Sequence, residues 1–266
     1  MLVFICSAAV YGGQFRCFTG DGLKPIIVKK PTDGGIREDI PDKFKERFAK
    51  WKEEMLSTEF GRQQWESYAN NKGFILTVTM SGKRGQGAGT DQYLWDESGN
   101  FVGATITLGA KLDKGYPDPI YYPVMNSLSP NEKFYSISGT LLAATKIIHE
   151  IGHVNQTAKA NRETLEIQSK LMPQYISIFL KNGRNTRDKE LVDLAEKMGG
   201  TPVEIWENRE YWSEVNAMSY LKERISKENY YCYVFNRIKN NIETYAKDYE
   251  ERFDEVAELS DTSCGK

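Results

Sequence analysis

His149, Glu150 and His153 form the pattern H-E-x-x-H, whose residue types and spacing could support metal chemistry. On an α-helix of about 3.6 residues per turn, two residues four apart lie on the same face. Two neutral imidazoles on that face can share one Zn²⁺, and the glutamate beside the first can deprotonate a zinc-bound water. The chain has 2 histidines, and both belong to this pattern. The pattern therefore predicts His149 and His153 as zinc ligands and Glu150 as the general base.

The segment that carries the motif is predicted to be a buried helix. Apolar residues cover most of its sides: Leu141, Leu142, Ala143, Ala144, Ile147, Ile148, Ile151 and Val154. Ser138 or Thr140 is the expected N-cap, and the helix is expected to end by Ala158 or Asn161. Two imidazoles on a buried helix need polar partners, and one metal ion would satisfy both. The alternative interpretation is a helix with two hydrogen-bonded core histidines and a surface glutamate.

Length and composition are those of an ordinary globular protein. The chain has 266 residues, 40% of them hydrophobic and 27% charged, so it can bury a full core in one large domain or two small ones. Its net charge of −2 offers no electrostatic footprint for nucleic acid or for an anionic membrane. No apolar segment approaches the roughly 20 residues of a membrane span. We therefore expect no nucleic-acid partner and no transmembrane segment.

Residues 1–13 have features of a truncated signal peptide. The apolar run from Leu2 to Val10 resembles the core of a secretion signal, but no Lys or Arg precedes Arg16. We therefore expect a secreted or periplasmic protein. The alternative is that this run is the first strand of the mature fold.

Four cysteines are present, namely Cys6, Cys17, Cys232 and Cys264. They contain no C-x-x-C pair, which excludes a structural zinc site of the finger type. A disulfide that involves Cys232 or Cys264 would fit an oxidising compartment.

The N-terminal half predicts helices followed by a small antiparallel sheet. Residues 41–70 have apolar side chains at three- and four-residue steps, which is typical of a helix packed on a sheet. Residues 74–80 alternate as a strand, and segments 91–95 and 101–108 flank a turn-forming stretch. The glycine-rich residues 81–90 lack the Gly-Lys-Ser/Thr ending of a phosphate-binding loop, so they are predicted to be a flexible connection.

The C-terminal half predicts an almost entirely helical region. Pro173 is expected to kink or interrupt one helix, and Gly183 and the Gly199–Gly200 pair are expected to end others. The predicted fold class is α+β, with the motif helix at the centre between the small antiparallel sheet and the helical half. The expected subdomains are residues 14–160, which include the motif helix, and residues 161–266, which carry the third zinc ligand.

A catalytic zinc site needs a third protein ligand besides the two histidines. Since the chain has no other histidine, that ligand must be a carboxylate or, less favourably, a thiolate. The metzincin pattern is excluded because Gln156 and Lys159 stand where it requires Gly and His. The best candidate is Glu214, which starts an E-x-x-A pattern, and Glu210 and Glu207 on the same stretch are alternatives.

Two motifs together resemble the gluzincin group of zinc metallopeptidases, namely His149-Glu150-x-x-His153 and the downstream Glu214-x-x-Ala217. The resemblance implies a zincin-like fold in which His149, His153 and Glu214 bind one Zn²⁺. It also implies that Glu150 is the general base.

The resemblance has a further implication and two departures. The strand Phe101–Leu108 ahead of the motif helix would be a sheet edge on which an extended peptide lies. Met218 occupies the position where related enzymes often place an acid that orients a histidine ligand, which leaves Ser213 and Asn216 as candidates for that duty. Related enzymes stabilise the oxyanion with a Tyr or a His. Without a spare histidine, Tyr211 is the catalytic candidate here, and the alternative role for it is a core aromatic residue.

The sequence therefore predicts a zinc-dependent metallopeptidase, a hydrolase in which a metal-activated water attacks a peptide or protein substrate. Two alternatives stay open. One is a zincin scaffold that acts as a regulatory or binding protein with non-catalytic zinc, and the other is a hydrolase of a non-peptide amide. Neither the cleavage specificity nor the oligomeric state can be read from the residues.

Overall fold

The computed structural model describes residues 5–6, 17–18, 26–114, 137–156, 171–182, 187–198, 213, 215–230 and 232. Its strands are β1 (Ile5–Cys6), β2 (Cys17–Phe18), β3 (Ile26–Val28), β4 (Gly35–Asp39), β5 (Ile75–Ser81), β6 (Ala88–Asp96) and β7 (Phe101–Gly109). Its helices are α1 (Lys45–Met55), α2 (Glu59–Ala69), α3 (Gly139–Asn155), α4 (Met172–Lys181) and α5 (Lys189–Met198). Residues 215–224 and 227–230 are also helical.

Five strands form one mixed sheet in the order β3-β6-β7-β5-β4. The pairs β3–β6, β4–β5 and β5–β7 are parallel, whereas β6–β7 is antiparallel. The protein is therefore a mixed α and β structure with a mostly parallel sheet, and the prediction of a small antiparallel sheet is wrong. Only the predicted hairpin, β6 with β7, has the expected direction. Its turn is closed by Asp96, whose carboxylate accepts from the backbone N of Asn100 at 2.7 Å and from its Nδ2 at 2.8 Å.

The parallel pairing follows from the helices that separate the strands. β4 and β5 are joined by α1 and α2, and a connection of this length carries the chain back so that the next strand runs parallel to the first. β4 contains Arg37, Glu38 and Asp39, a run of charges that does not predict a strand. Charged side chains are, however, typical of an edge strand that must not pair with another chain.

α3 lies against β6 and β7 on one side and against α1 on the other, so the motif helix is central in the described core. On α1 the side chains of Phe48, Trp51 and Met55 are buried. α2 begins at Thr58, whose Oγ1 accepts from the backbone N of Gly61 at 2.9 Å. The predicted helical region is confirmed, as two consecutive helices rather than one.

The glycine-rich segment between β5 and β6 is shorter than predicted. Gly85 adopts a φ of +58°, and β6 already begins at Ala88. The backbone N of Gly109 donates to Gly87 O at 2.8 Å, and that of Lys111 donates to Gly85 O at 2.8 Å. These bonds hold the segment against the end of β7.

The described residues of the C-terminal half are mostly helical, as predicted. Pro173 lies in the first turn of α4, where its missing N–H is not needed. No helix within the described ranges is long and apolar enough to span a membrane. In the predicted leader, Ile5–Cys6 pairs antiparallel with Cys17–Phe18. The predicted boundary at residue 160 lies outside the described residues.

Candidate metal centre

The motif helix begins where the sequence predicts. Ser138 is the N-cap residue, with φ −149° and ψ 175°, although its side chain makes no capping bond. α3 ends at Asn155, slightly before the predicted end. From Leu142 to Val154 every side chain except that of Lys146 is buried. A helix that is apolar on most sides can occupy this position between the sheet and α1 without exposing hydrophobic surface.

His149 and His153 lie side by side inside the protein. They are 7% and 5% exposed, and their ring centroids are 5.1 Å apart with the ring planes at 83°. An imidazole nitrogen bound to zinc lies about 2.0–2.1 Å from the ion, which puts two tetrahedrally placed ring centroids about 5 Å apart. The separation of the two rings therefore fits a shared zinc ion.

The third ligand cannot be located among the described residues. Within those ranges no group of three His, Cys, Asp or Glu side chains could hold a metal ion. Glu214, its alternatives Glu210 and Glu207, and the oxyanion candidate Tyr211 lie outside the described residues. Their roles stay predictions.

The residues on either side of Glu214 in the sequence come very close to the motif helix at Gly152. A Cβ atom built on Gly152 would lie 2.6 Å from the Cα of Ser213 and 3.0 Å from the Cβ of Asn216. Only a glycine permits this approach, one residue before His153. In the E-x-x-A pattern, the small residue expected to permit the close approach of the two helices is Ala217, which is buried. In the structure, the residue that has no room for a Cβ atom is Gly152 of α3. A glycine inside a helical motif is the sequence signal for this contact.

Asn216 connects the 215–224 helix to the motif helix by hydrogen bonds. Its Nδ2 donates to Ile148 O at 2.8 Å and to Gln64 Oε1 at 3.2 Å. Ser213 is fully buried, and its Oγ has no hydrogen-bond partner among the described residues. Neither of these two candidates for orienting a histidine ligand is therefore bonded to an imidazole; Asn216 instead fixes the backbone of α3.

Replacing Asn216 by Ala should lower the free energy of unfolding by about 1 kcal/mol, the usual net loss for one intramolecular hydrogen bond. Urea unfolding of the purified protein measures this change. Ser219→Ala is the matched control on the same helix, because among the described residues the Ser219 hydroxyl donates to Val215 O at 2.9 Å, within that helix. Equal losses in the two variants would contradict the connecting role of Asn216.

The other end of the 215–224 helix is fixed to α1 and α2. Arg224 Nε pairs with Glu54 Oε1 at 2.5 Å, and Tyr220 OH donates to Glu54 O at 3.1 Å. Glu223 Oε2 accepts from the backbone N of Phe60 at 3.0 Å, in the first turn of α2. The helix next to the candidate metal centre is thus held by polar contacts at both of its ends.

Glu150 is buried, with 4% exposure, and its carboxylate meets β6. Thr90 Oγ1 lies 2.8 Å from Glu150 Oε2 and 3.0 Å from Glu150 O. This contact places the predicted general base against the sheet through one of its carboxylate oxygens, Oε2. Nothing in the sequence around Thr90 predicts the contact, since it joins residues 60 positions apart.

A second carboxylate, that of Asp91, lies near Glu150. Burial raises the pKa of Asp91 above its ordinary value, the Arg84 guanidinium lowers it, and the negative charge of Glu150 raises it further. Arg84 Nη2 pairs with Asp91 Oδ2 at 2.7 Å. Among the described residues, the surroundings of Glu150 therefore include the Arg84 guanidinium and the Asp91 carboxylate.

Near the motif helix, the strand with a partly open edge is β6, not β7. β7 lies between β6 and β5, so the prediction that Phe101–Leu108 is a sheet edge is wrong. β3 covers only residues 94–96 of β6. Within the described residues, the outer edge of β6 from Ala88 to Tyr93 has no strand partner, and Thr90 lies in this open stretch. An edge of this kind can accept an extended peptide through backbone hydrogen bonds.

Compared with protein-family models, curated proteins and solved structures, the chain matches none.

Proposed function

We propose that the protein is a zinc-dependent metallopeptidase in which His149, His153 and Glu214 bind one Zn²⁺ and Glu150 is the general base. The observation that carries the proposal is the pair of buried imidazoles at the separation expected for two ligands of one zinc ion. The approach of Ser213 and Asn216 to Gly152 supports Glu214 as the third ligand, because Glu214 stands between these two residues in the sequence.

In the proposed reaction, each of these residues has a separate role. A bound zinc ion supplies Lewis acidity, which polarises the scissile carbonyl and makes water a better nucleophile at neutral pH. Glu150 takes the proton of the attacking water on the carboxylate oxygen that Thr90 does not bind, and later gives it to the leaving amine. Tyr211 is the proposed donor to the developing oxyanion. Burial around the motif helix excludes bulk water, which strengthens each of these interactions.

The substrate that fits this arrangement is an extended segment of a peptide or protein. Backbone groups on the open edge of β6, Ala88 to Tyr93, can pair with such a segment, and Thr90 on the same stretch reaches Glu150. A peptide on this edge would therefore lie beside the base. A secreted or periplasmic location is part of the proposal, and the disulfide bond of Cys232 supports it because such bonds persist in oxidising compartments.

Metal analysis of purified variants tests the ligand set. We expect one zinc ion per chain in the wild type, none in His153→Ala, and a large loss in Glu214→Ala, with casein hydrolysis falling in parallel. Glu210→Ala and Glu207→Ala are matched controls that should keep their zinc. Full zinc occupancy in Glu214→Ala would remove Glu214 from the ligand set, and full occupancy in His153→Ala would refute the proposed site.

A further inference from the structure

The contact between Thr90 and Glu150 joins two elements that the proposed reaction uses separately. Thr90 stands on β6 opposite Ile106 of β7, so its backbone position is fixed by the central sheet. Glu150 is on α3, and both of its contacts with the Thr90 hydroxyl are within hydrogen-bond distance, at 2.8 and 3.0 Å. One hydroxyl has one proton to donate.

The carboxylate is the acceptor that depends on this proton. Glu150 O is a backbone carbonyl inside α3, where the helix itself supplies a donor four residues later. Glu150 Oε2 is a buried charged atom, and among the described residues Thr90 is the donor that reaches it. Hydrogen bonds to ionised groups are stronger than those between neutral groups. The bond therefore selects one side-chain rotamer of Glu150.

β6 is irregular immediately after Thr90. The register of the β6–β7 pair shifts between Asp91 and Leu94, and Gln92 has a φ of +49°. Gln92 is held in this conformation by Thr105 Oγ1, which lies 3.1 Å from Gln92 Oε1. A bulge of this kind changes which way the side chains before it point. The irregular part of β6 therefore lies directly after Thr90, the residue whose side chain contacts α3.

We propose that Thr90 is a positioning residue that holds the Glu150 carboxylate in its reactive rotamer and links it to the open edge of β6. This inference rests on the proposed function, in which Glu150 is the base. Because Thr90 belongs to the same stretch on which the peptide is proposed to lie, a substrate that orders this edge also orders the base. Thr90 acts through Glu150 and is not itself a catalytic residue.

The first test is a split of kinetic constants with a fluorogenic peptide or casein as substrate. Thr90→Val, which keeps the shape and removes the hydroxyl, should lower kcat by roughly 10- to 100-fold, the value of a hydrogen bond to a charged group, with zinc content unchanged. KM should stay within about twofold, because the substrate contacts the backbone of β6. Thr90→Ser should recover kcat to within about threefold, since it keeps the donor. Thr79→Val, which removes a β5 hydroxyl that donates to Asp39 O on β4, is the matched control.

The second test uses the metal-free protein and needs no activity. Urea unfolding midpoints of Thr90→Val, Glu150→Ala and the double variant form a double-mutant cycle. A bond between the two side chains predicts that the double variant loses less than the sum of the single losses. Additive losses would overturn the inference, as would a Thr90→Ser variant as slow as Thr90→Val.

The two proposals fail in distinguishable ways. If Glu150→Ala hydrolyses the substrate as fast as the wild type, the proposed function is wrong, and the cycle alone then decides whether Thr90 holds Glu150. If Glu150→Ala is inactive while Thr90→Val retains full kcat, the proposed function stands and the positioning role is refuted.

Discussion

Replacing Glu150 by Gln is expected to reduce hydrolysis by about 10³-fold while zinc stays bound, because general-base catalysis contributes roughly 10²- to 10⁴-fold. The amide has nearly the same shape as the carboxylate, and its carbonyl can still accept from Thr90, so the buried position stays filled. What the amide cannot do is take a proton from water. Steady-state kinetics and metal analysis on the same preparation measure both quantities.

Asp91→Asn is the control that removes a negative charge from the same surroundings without removing the base. We expect its kcat to stay within about tenfold of wild type, since the substitution weakens the partly exposed pair with Arg84 and leaves the Glu150 carboxylate and its bond from Thr90 in place. Wild-type rates in Glu150→Gln with full zinc content would contradict the mechanism. They would show that a group other than Glu150 activates the attacking water. A loss of zinc in Glu150→Gln would instead show that this carboxylate belongs to the ligand set.

Replacing Gly152 by Ala is expected to displace the 215–224 helix and to weaken zinc binding by about tenfold or more, the scale seen when groups that orient metal ligands are disturbed. The added methyl would lie 2.6 Å from a backbone atom, the Cα of Ser213, and a backbone cannot rotate away as a flexible side chain can. Overpacking of this kind costs about 1–3 kcal/mol, whereas Ala gains about 1 kcal/mol over Gly in a helix interior. We therefore expect a net loss of stability of about 0–2 kcal/mol.

Gly82→Ala is the matched control for Gly152→Ala. A Cβ on Gly82 would meet no atom within 4 Å, so stability and zinc affinity should stay close to those of the wild type. Competition with a chromophoric chelator measures the zinc affinity, and urea unfolding measures the stability. An unchanged zinc affinity in Gly152→Ala would show that the helix contact at this glycine does not position a ligand.

The motif and its helix can be predicted from the sequence because both depend on local spacing. The H-E-x-x-H pattern and the surrounding apolar residues define a buried helix, and the structure shows that helix beginning at Ser138 as expected. Local signals also give the helices after residue 41 and the β6–β7 hairpin. In each case the pattern that specifies the element lies within the element itself.

The arrangement of the sheet could not be predicted in the same way. β4 is a charged edge strand, and no alternation of apolar residues marks it. Without β4, the sequence does not predict the parallel strand pairs, and β7 is predicted to be an edge strand, although it lies inside the sheet. The Thr90–Glu150 bond and the contact of Ser213 with Gly152 could not be predicted from the sequence for a similar reason. They join segments about 60 residues apart, and the fold alone decides that they meet.

The ion pair between Arg224 and Glu54 joins residues 170 positions apart, so it can form only late in synthesis. During synthesis the motif residues leave the ribosome well before residues 215–224 exist. Until that helix docks, Gly152 and Glu54 both lack their partners, and closing so long a loop carries an entropic cost that shorter contacts do not. A nascent chain would thus contain both histidines without the helix that packs beside them. Under the proposed function, hydrolysis would begin only after residues 215–224 have been made and have docked.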